Sequence, residues 1–185
     1  MHTSTILSAV ILAVPALSAP LSKFNTRATE SWSINTMNVH FMGRDTGIPG
    51  NGWPDWAKFD TTLDFKVDFP FSQVSCSASW PEKNLPTSEI PCESENTMFQ
   101  LSPVPSGDFH EAAFTLSVRR TDVDGASGVR TTYTGGQVIT ANQPTVDTSY
   151  LSCLGGRPLD GIRCSLNGPM SVRKPLVLDA VSRAE

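Results

Sequence analysis

The sequence predicts an all-β protein, a single-domain compact antiparallel β-barrel or sandwich with two local disulfides. Apolar and polar residues alternate with a period of two in one run after another. No window of helical length carries a 3.6-residue period. The 13 glycines and 14 prolines among 185 residues break the chain at roughly every tenth position, before a helix can establish itself. Many short strands at that spacing are the pattern of a sandwich or barrel.

Taken in order, residues 1–18 read as a secretory signal peptide. Residues 6–17 are almost wholly apolar, broken by Pro15, and end in Ala16-Leu17-Ser18-Ala19, the small residues a signal peptidase requires. The run is too short for a bilayer, which takes about 20 residues. Cleavage is placed after Ser18, since cutting after Ala19 would leave Pro20 directly behind the scissile bond. Removing 18 of the 185 residues leaves 167, and the net charge stays at -4 because that segment has no Asp, Glu, Lys or Arg. Residues 19–30, with Pro20, Asn25, Thr26 and Thr29, read as a disordered leader or short propeptide. The β domain is expected over 31–180, with a C-terminal tail at 181–185.

Within the domain a first strand is expected at 32–41. Leu63, Phe65, Val67 and Phe69 then alternate with Asp64, Lys66 and Asp68, giving one buried and one wet face, and Pro70 stops the run. Val74, Cys76, Ala78 and Trp80 alternate with three serines and put Cys76 on the inward face; Pro81 follows. Phe114, Leu116 and Val118 form one run and Val129, Thr131 and Tyr133 another, a hairpin joined through Asp122-Val123-Asp124-Gly125. Shorter strands fit at 98–101, 137–140, 150–154, 162–166 and 176–178. Two longer loops, 43–60 and 81–91, are of a kind that carries function on β scaffolds.

A secreted chain keeps its thiols oxidised, so Cys76, Cys92, Cys153 and Cys164 are expected as two disulfides. Four cysteines allow three pairings, and sequence alone does not choose among them. Proximity favours Cys76 with Cys92 and Cys153 with Cys164, each closing a short loop and contributing about 3 kcal/mol in the chain-entropy model. Metal ligation is not expected: there is no C-x-x-C pair, and beyond the signal peptide the only histidines are His40 and His110.

With 14 Lys+Arg against 18 Asp+Glu, the chain has no basic surface for nucleic acid, and no membrane partner is expected. Arg119-Arg120 and Arg173-Lys174 read as solvated strand ends. A nucleophile elbow, an H-E-x-x-H zinc motif and a glycine-rich phosphate loop are all missing from the sequence. His40 and His110 read as ordinary hydrogen-bonded or surface histidines, and no catalytic residue or cofactor is assigned. Asp64 and Asp68 read as solubilising residues beside Lys66, and Asp122 and Asp124 as a turn rather than a calcium loop. The most unusual local feature is Gly50-Asn51-Gly52-Trp53-Pro54-Asp55-Trp56. Trp53 and Trp56 in a surface loop are the candidate partner or ligand surface, against the alternative that they fold down to plug the barrel.

Trp32-Ser33-Ile34, the run 63–68 leading into Cys76-Ser77-Ala78-Ser79-Trp80, then Cys92, resemble the fungal secreted family of the Alternaria major allergen. Tyr150-Leu151-Ser152-Cys153-Leu154-Gly155-Gly156, followed by Asp160 and Cys164, is similar to that family's closing disulfide segment. The resemblance covers roughly residues 31–178. It implies a β-barrel with Cys76 joined to Cys92 and Cys153 to Cys164. It also implies a non-enzymatic extracellular or cell-wall protein of the effector, elicitor or allergen type, acting in the plant apoplast on a host extracellular protein or small apolar ligand. The chain lacks the cysteine near the mature N-terminus that links the allergen's dimer, so a monomer or non-covalent dimer is expected. Extra residues at 123–128 and 142–144 depart from the family pattern. The alternative is a small secreted glycan-active hydrolase using a carboxylate pair, with the Trp53 and Trp56 loop as a sugar subsite. A lipocalin-like carrier would need an internal cavity.

Overall fold

A computed structural model describes residues 29–184, apart from Asn51 and Lys83. The proposed signal peptide and most of the leader lie outside the described residues. The period-two runs become ten strands: β1 (Thr29–Phe41), β2 (Thr61–Asp68), β3 (Gln73–Trp80), β4 (Ile90–Pro91), β5 (Thr97–Ser102), β6 (Phe114–Val123), β7 (Arg130–Ile139), β8 (Leu151–Gly155), β9 (Ile162–Leu166) and β10 (Leu176–Ala184). In β2 the alternation is strict: Leu63, Phe65 and Val67 are buried, and Thr62, Asp64 and Lys66 are exposed.

The strands form one antiparallel sheet in the order β3-β2-β1-β10-β7-β6-β5-β4, curled into a nearly closed barrel. Its two edges meet between β3 and β4. The Cys76–Cys92 disulfide crosses this seam, and the Glu93 N–H donates to the Ser75 carbonyl at 2.9 Å. β1 is long enough to serve two neighbours on one side, with 29–34 pairing β10 and 38–41 pairing β9. The β8–β9 hairpin fills that fork, and Cys153–Cys164 joins directly opposed residues of its two strands. Both pairings are those favoured by proximity and implied by the resemblance.

Inward side chains fill the barrel. Trp32, Phe65, Phe99, Phe114, Leu116 and Leu151 are among the largest fully buried groups, and Phe65 meets Phe99 edge-on at 5.1 Å between centroids. Gly135 of β7 sits where β10 crosses it; a Cβ there would lie 3.2 Å from the Cβ atoms of both Leu178 and Ala180, so the close approach depends on glycine.

Several sequence expectations need correction. The leader was expected to run to residue 30, but β1 already begins at Thr29. Residues 181–185 were expected as a tail, yet β10 continues to Ala184, because 131–135 of β7 supply a hydrogen-bonded partner for 180–184. The small inward residues Ala180 and Ser182 conceal that alternation. The segments around 129–133 and 137–140 are one strand, carried through Gly135-Gly136 by pairing on β6. Arg120 is not a solvated strand end. Only 12% of its side chain is exposed, and its guanidinium lies 4.9 to 5.6 Å from the rings of Phe69, Tyr133 and Trp32. Arg119 is half-buried, and the Nε and Nη2 edge of its guanidinium donates to both oxygens of Glu89, at 2.7 and 2.6 Å.

A candidate binding cleft at the loop end of the barrel

The strand directions separate two ends. One carries the β2–β3 and β6–β7 turns and the Arg120 stack. The other collects 42–60, 103–113, 140–150 and 156–161, and there a cleft of about 1030 Å³ opens. Its floor is apolar, with Phe41, Met42, Val104, Ala113 and Ile162. The rim is charged: Arg44 and Arg157 stand among Asp45, Glu82, Asp108 and Glu111, with His110 beside them.

Three of the rim groups, His110, Asp108 and Asp45, are held by local hydrogen bonds. His110 and Ala113 exchange main-chain hydrogen bonds of 3.0 and 2.9 Å, a tight reversal, and the Ala112 N–H donates to His110 Nδ1 at 3.2 Å. The Asp108 carboxylate accepts from the Ser106 hydroxyl at 3.1 Å, and the Val104 N–H closes the same loop on the Asp108 carbonyl at 2.9 Å. Asp45 accepts from the Gly47 N–H at 3.2 Å. Asn142, at φ 62°, forms the opposite wall, its side-chain amide paired with the main chain of Cys153 at 2.8 and 2.9 Å. Asn is one of the few residue types that enter this region readily.

A row of rings buckles two of these loops together beside the cleft. Trp53 donates its indole N–H to the Gly43 carbonyl at 2.8 Å and meets Phe59 edge-on at 5.5 Å. Phe59 stacks on His40 at 4.6 Å, and His40 Nε2–H donates to the Asp160 carbonyl at 2.6 Å. Arg163 binds both oxygens of the Asp160 carboxylate, at 2.8 and 3.1 Å. That hydrogen-bonded guanidinium holds the carboxyl below the ordinary aspartate range. Gly161, at φ 76°, completes the buckle; a Cβ there would lie within 2.8 Å of both the Phe41 carbonyl oxygen and the Phe59 ring.

The sequence-predicted site residues therefore separate. Trp53 is a half-buried anchor, whereas Trp56, in a short 3-10 turn (Asp55–Ala57), is 79% exposed. Neither lines the cleft. His40 belongs to the buckle and His110 to the rim. Among the described residues neither imidazole is hydrogen-bonded to a serine or threonine hydroxyl, the arrangement a nucleophilic triad requires. Asp64 and Asp68 lie on the outer sheet surface, bound by Asn38 at 2.8 Å and Asn35 at 2.5 Å. Asp122 pairs with Arg120. Asp124 caps the β6–β7 turn, where hydrogen bonds from Ser127 and Ala126 hold its carboxyl below the usual range. All four cysteines are in disulfides. Among the described residues no cluster of His, Cys, Asp or Glu is arranged to hold a metal ion.

Sequence reasoning did not find the cleft, because its walls come from stretches far apart in the chain. The local signals were partial: the long loops 43–60 and 81–91, which contribute 43–47 and Glu82 to its walls, and Asn142-Gln143-Pro144, a turn sequence among the residues that depart from the family pattern. No protein-family model matches the chain, and neither does any curated protein or solved structure. The chemistry of the cleft and its surroundings must carry any functional reading.

Proposed function

We propose that the chain is a secreted, non-enzymatic binding protein of the effector, elicitor or allergen-like type, and that it engages a host extracellular protein or a small apolar ligand through the cleft at the loop end of its barrel. The observation that carries this reading is an apolar-floored, charged-rimmed cleft of about 1030 Å³ mounted on a barrel whose interior is filled by side chains. Loops fixed on a rigid frame are the common architecture of a recognition surface. The two disulfides suit an oxidising, extracellular compartment. The signal-peptide pattern at 1–18 and the resemblance to the secreted fungal family support the same placement.

Pull-down from plant apoplastic fluid tests the proposal, comparing wild type with Asp108→Arg plus Glu111→Arg and, separately, with Trp56→Ala. A specific partner recovered by wild type and lost with the double arginine variant supports the cleft. Loss only with Trp56→Ala would move the site to the exposed tryptophan.

A second reading has one observation in its favour. Carboxylates from separate loops, Asp45, Glu82, Asp108 and Glu111, line the same cleft, as a glycan hydrolase with an acid and a base would require. Release of reducing ends from β-glucan, chitin or xylan, abolished by Asp108→Asn or Glu111→Gln, would establish that reading and displace the first.

A further inference from the structure

β8 has one side paired with β9 and one side turned toward the segment that leaves β7. The antiparallel alternation fixes which main-chain groups face which way. The Gly156 N–H bonds the Gly161 carbonyl at 2.8 Å, so the even-numbered residues face β9. The odd-numbered residues face away: the Leu151 N–H donates to the Thr140 carbonyl at 3.2 Å, and the Leu151 carbonyl accepts from the Asn142 N–H at 3.0 Å. At Cys153 a side chain replaces the neighbouring strand. Asn142 Oδ1 accepts from the Cys153 N–H and Nδ2 donates to the Cys153 carbonyl. One side-chain amide thereby reproduces both bonds that a residue of a neighbouring antiparallel strand would make.

The next residue with this orientation is Gly155, and it lies in the cleft wall. No described group outside the β8–β9 ladder is hydrogen-bonded to its N–H or carbonyl. A Cβ built on Gly155 would meet nothing within 4 Å. That Cβ direction is perpendicular to the sheet; the open side in the plane of the sheet is the cleft itself, which Gly155 lines, and an added strand would lie there at a spacing of about 4.8 Å. Among the described residues the rim carries four carboxylates, Asp45, Glu82, Asp108 and Glu111, against two guanidiniums, Arg44 and Arg157.

We propose that the cleft takes an extended, basic peptide segment as an added strand on β8, its main chain pairing with the N–H and carbonyl of Gly155 beyond the Asn142 amide. This rests on the reading of the cleft as the binding site and specifies its ligand. Main-chain pairing supplies register, and the carboxylate-rich rim selects for lysine or arginine side chains on the segment. Asn142 shields Cys153, so the free edge begins at Gly155 and stays short, which suits pairing with a ligand better than open-ended association of sheets.

The test uses fluorescence anisotropy with a fluorescein-labelled Lys-Val-Lys-Val-Lys-Val peptide. Two versions carry N-methyl groups on alternate residues, one set at the valines and one at the lysines, and a third has glutamate in place of lysine. Wild type is expected to bind the parent peptide and to lose about tenfold in affinity for one N-methylated version but not the other, since only one strand edge is used. The glutamate peptide is expected to bind at least tenfold more weakly. Gly155→Pro, which deletes the cleft-facing N–H without removing a bond to β9, should cost about tenfold, and Asn142→Gly, which suits the positive φ and frees Cys153, should tighten binding several-fold. Absence of binding by the parent peptide, or equal affinity for both N-methylated versions and the parent, would overturn the strand-addition proposal. If pull-down of a partner still fails with Asp108→Arg plus Glu111→Arg in that case, the cleft remains the binding site and only its ligand class is wrong.

Discussion

Replacing Arg120 with methionine keeps most of the side-chain stem and deletes the guanidinium at the closed end of the barrel. That group lies over Trp32, Phe69 and Tyr133. It donates to both oxygens of Asp122 at 2.7 to 3.1 Å and to Glu30 at 3.1 Å. The two carboxylates lose different amounts. Asp122 is 43% exposed and rehydrates, so its share falls in the surface range of about 0–1 kcal/mol. Glu30 is 20% exposed and, among the described residues, keeps the Trp32 indole N–H as its donor, at 2.8 Å. Losing a charge-assisted bond at such a site costs about 1.5–3 kcal/mol. The three rings add about 1 kcal/mol as a partly desolvated cation–π contact. Together these give a destabilisation of about 3 kcal/mol, a large fraction of a typical domain stability of about 5–15 kcal/mol.

Urea unfolding of the oxidised protein measures it. With a slope of about 2 kcal/mol per molar, the midpoint for Arg120→Met should fall by about 1.5 M. Arg120→Lys keeps the charge and loses the planar fork, so it should fall between the two. The double-mutant cycle with Glu30→Gln isolates the interaction, and a coupling of at least about 1 kcal/mol is expected. A loss below about 0.5 kcal/mol for Arg120→Met, with no coupling to Glu30, would refute the reasoning, because that is the size of an ordinary surface substitution.

Three further outcomes follow from the same structure. Gly161→Ala forces a Cβ to within 2.4 Å of the Phe41 carbonyl oxygen at φ 76°; a loss of about 2 kcal/mol is expected from that strain, and a melting temperature equal to wild type would contradict the packing of the 156–161 loop. Removing Cys76–Cys92, which spans 16 residues, should cost about 3 kcal/mol by loop entropy, plus a further loss from opening the seam, so Cys76→Ala plus Cys92→Ala should be less stable than Cys153→Ala plus Cys164→Ala; the reverse order in urea would mean the seam is closed by other contacts. The two hydrogen bonds from Arg119 hold the Glu89 carboxyl below the usual glutamate range. A lowered carboxyl stabilises the fold above its unfolded value and loses that contribution as pH falls through the folded value, so wild type should lose more stability than Glu89→Gln between about pH 5 and pH 3; parallel curves would remove this pair from the acid sensitivity.

Most of the frame was legible in sequence because it is built from local signals. The 63–69 alternation and the 74–80 run each gave a strand in the correct phase, and the neighbouring cysteines paired as proximity favoured. Legibility failed where an element depends on a distant partner. β10 reads as ending at Leu178 because the inward residues beyond it, Ala180 against Gly135 of β7 and Ser182 opposite Tyr133, are small and carry little hydrophobic contrast. Arg120 follows Arg119 in a strand and reads as exposed, although it is the residue covered by rings from β1, β7 and the chain just after β2. Trp53 and Trp56 read as one feature, yet only the first finds Gly43 and Phe59 to fold against.

The same distinction accounts for the asymmetry of the molecule. At the turn end, β2–β3 and β6–β7 are joined by short reversals, and the polar groups that face inward there are spent on one another around Arg120. At the loop end, the connections are long, and their polar groups are spent mainly on fixing backbone: His110 on Ala112, Asp108 on Ser106, Asp45 on Gly47, His40 on Asp160. Those bonds hold the loops in place and leave an apolar floor and the Gly155 main chain facing outward between them. Placed around the border of that floor, they fix the cleft walls in advance, and in the proposed binding role this lowers the ordering cost of a ligand.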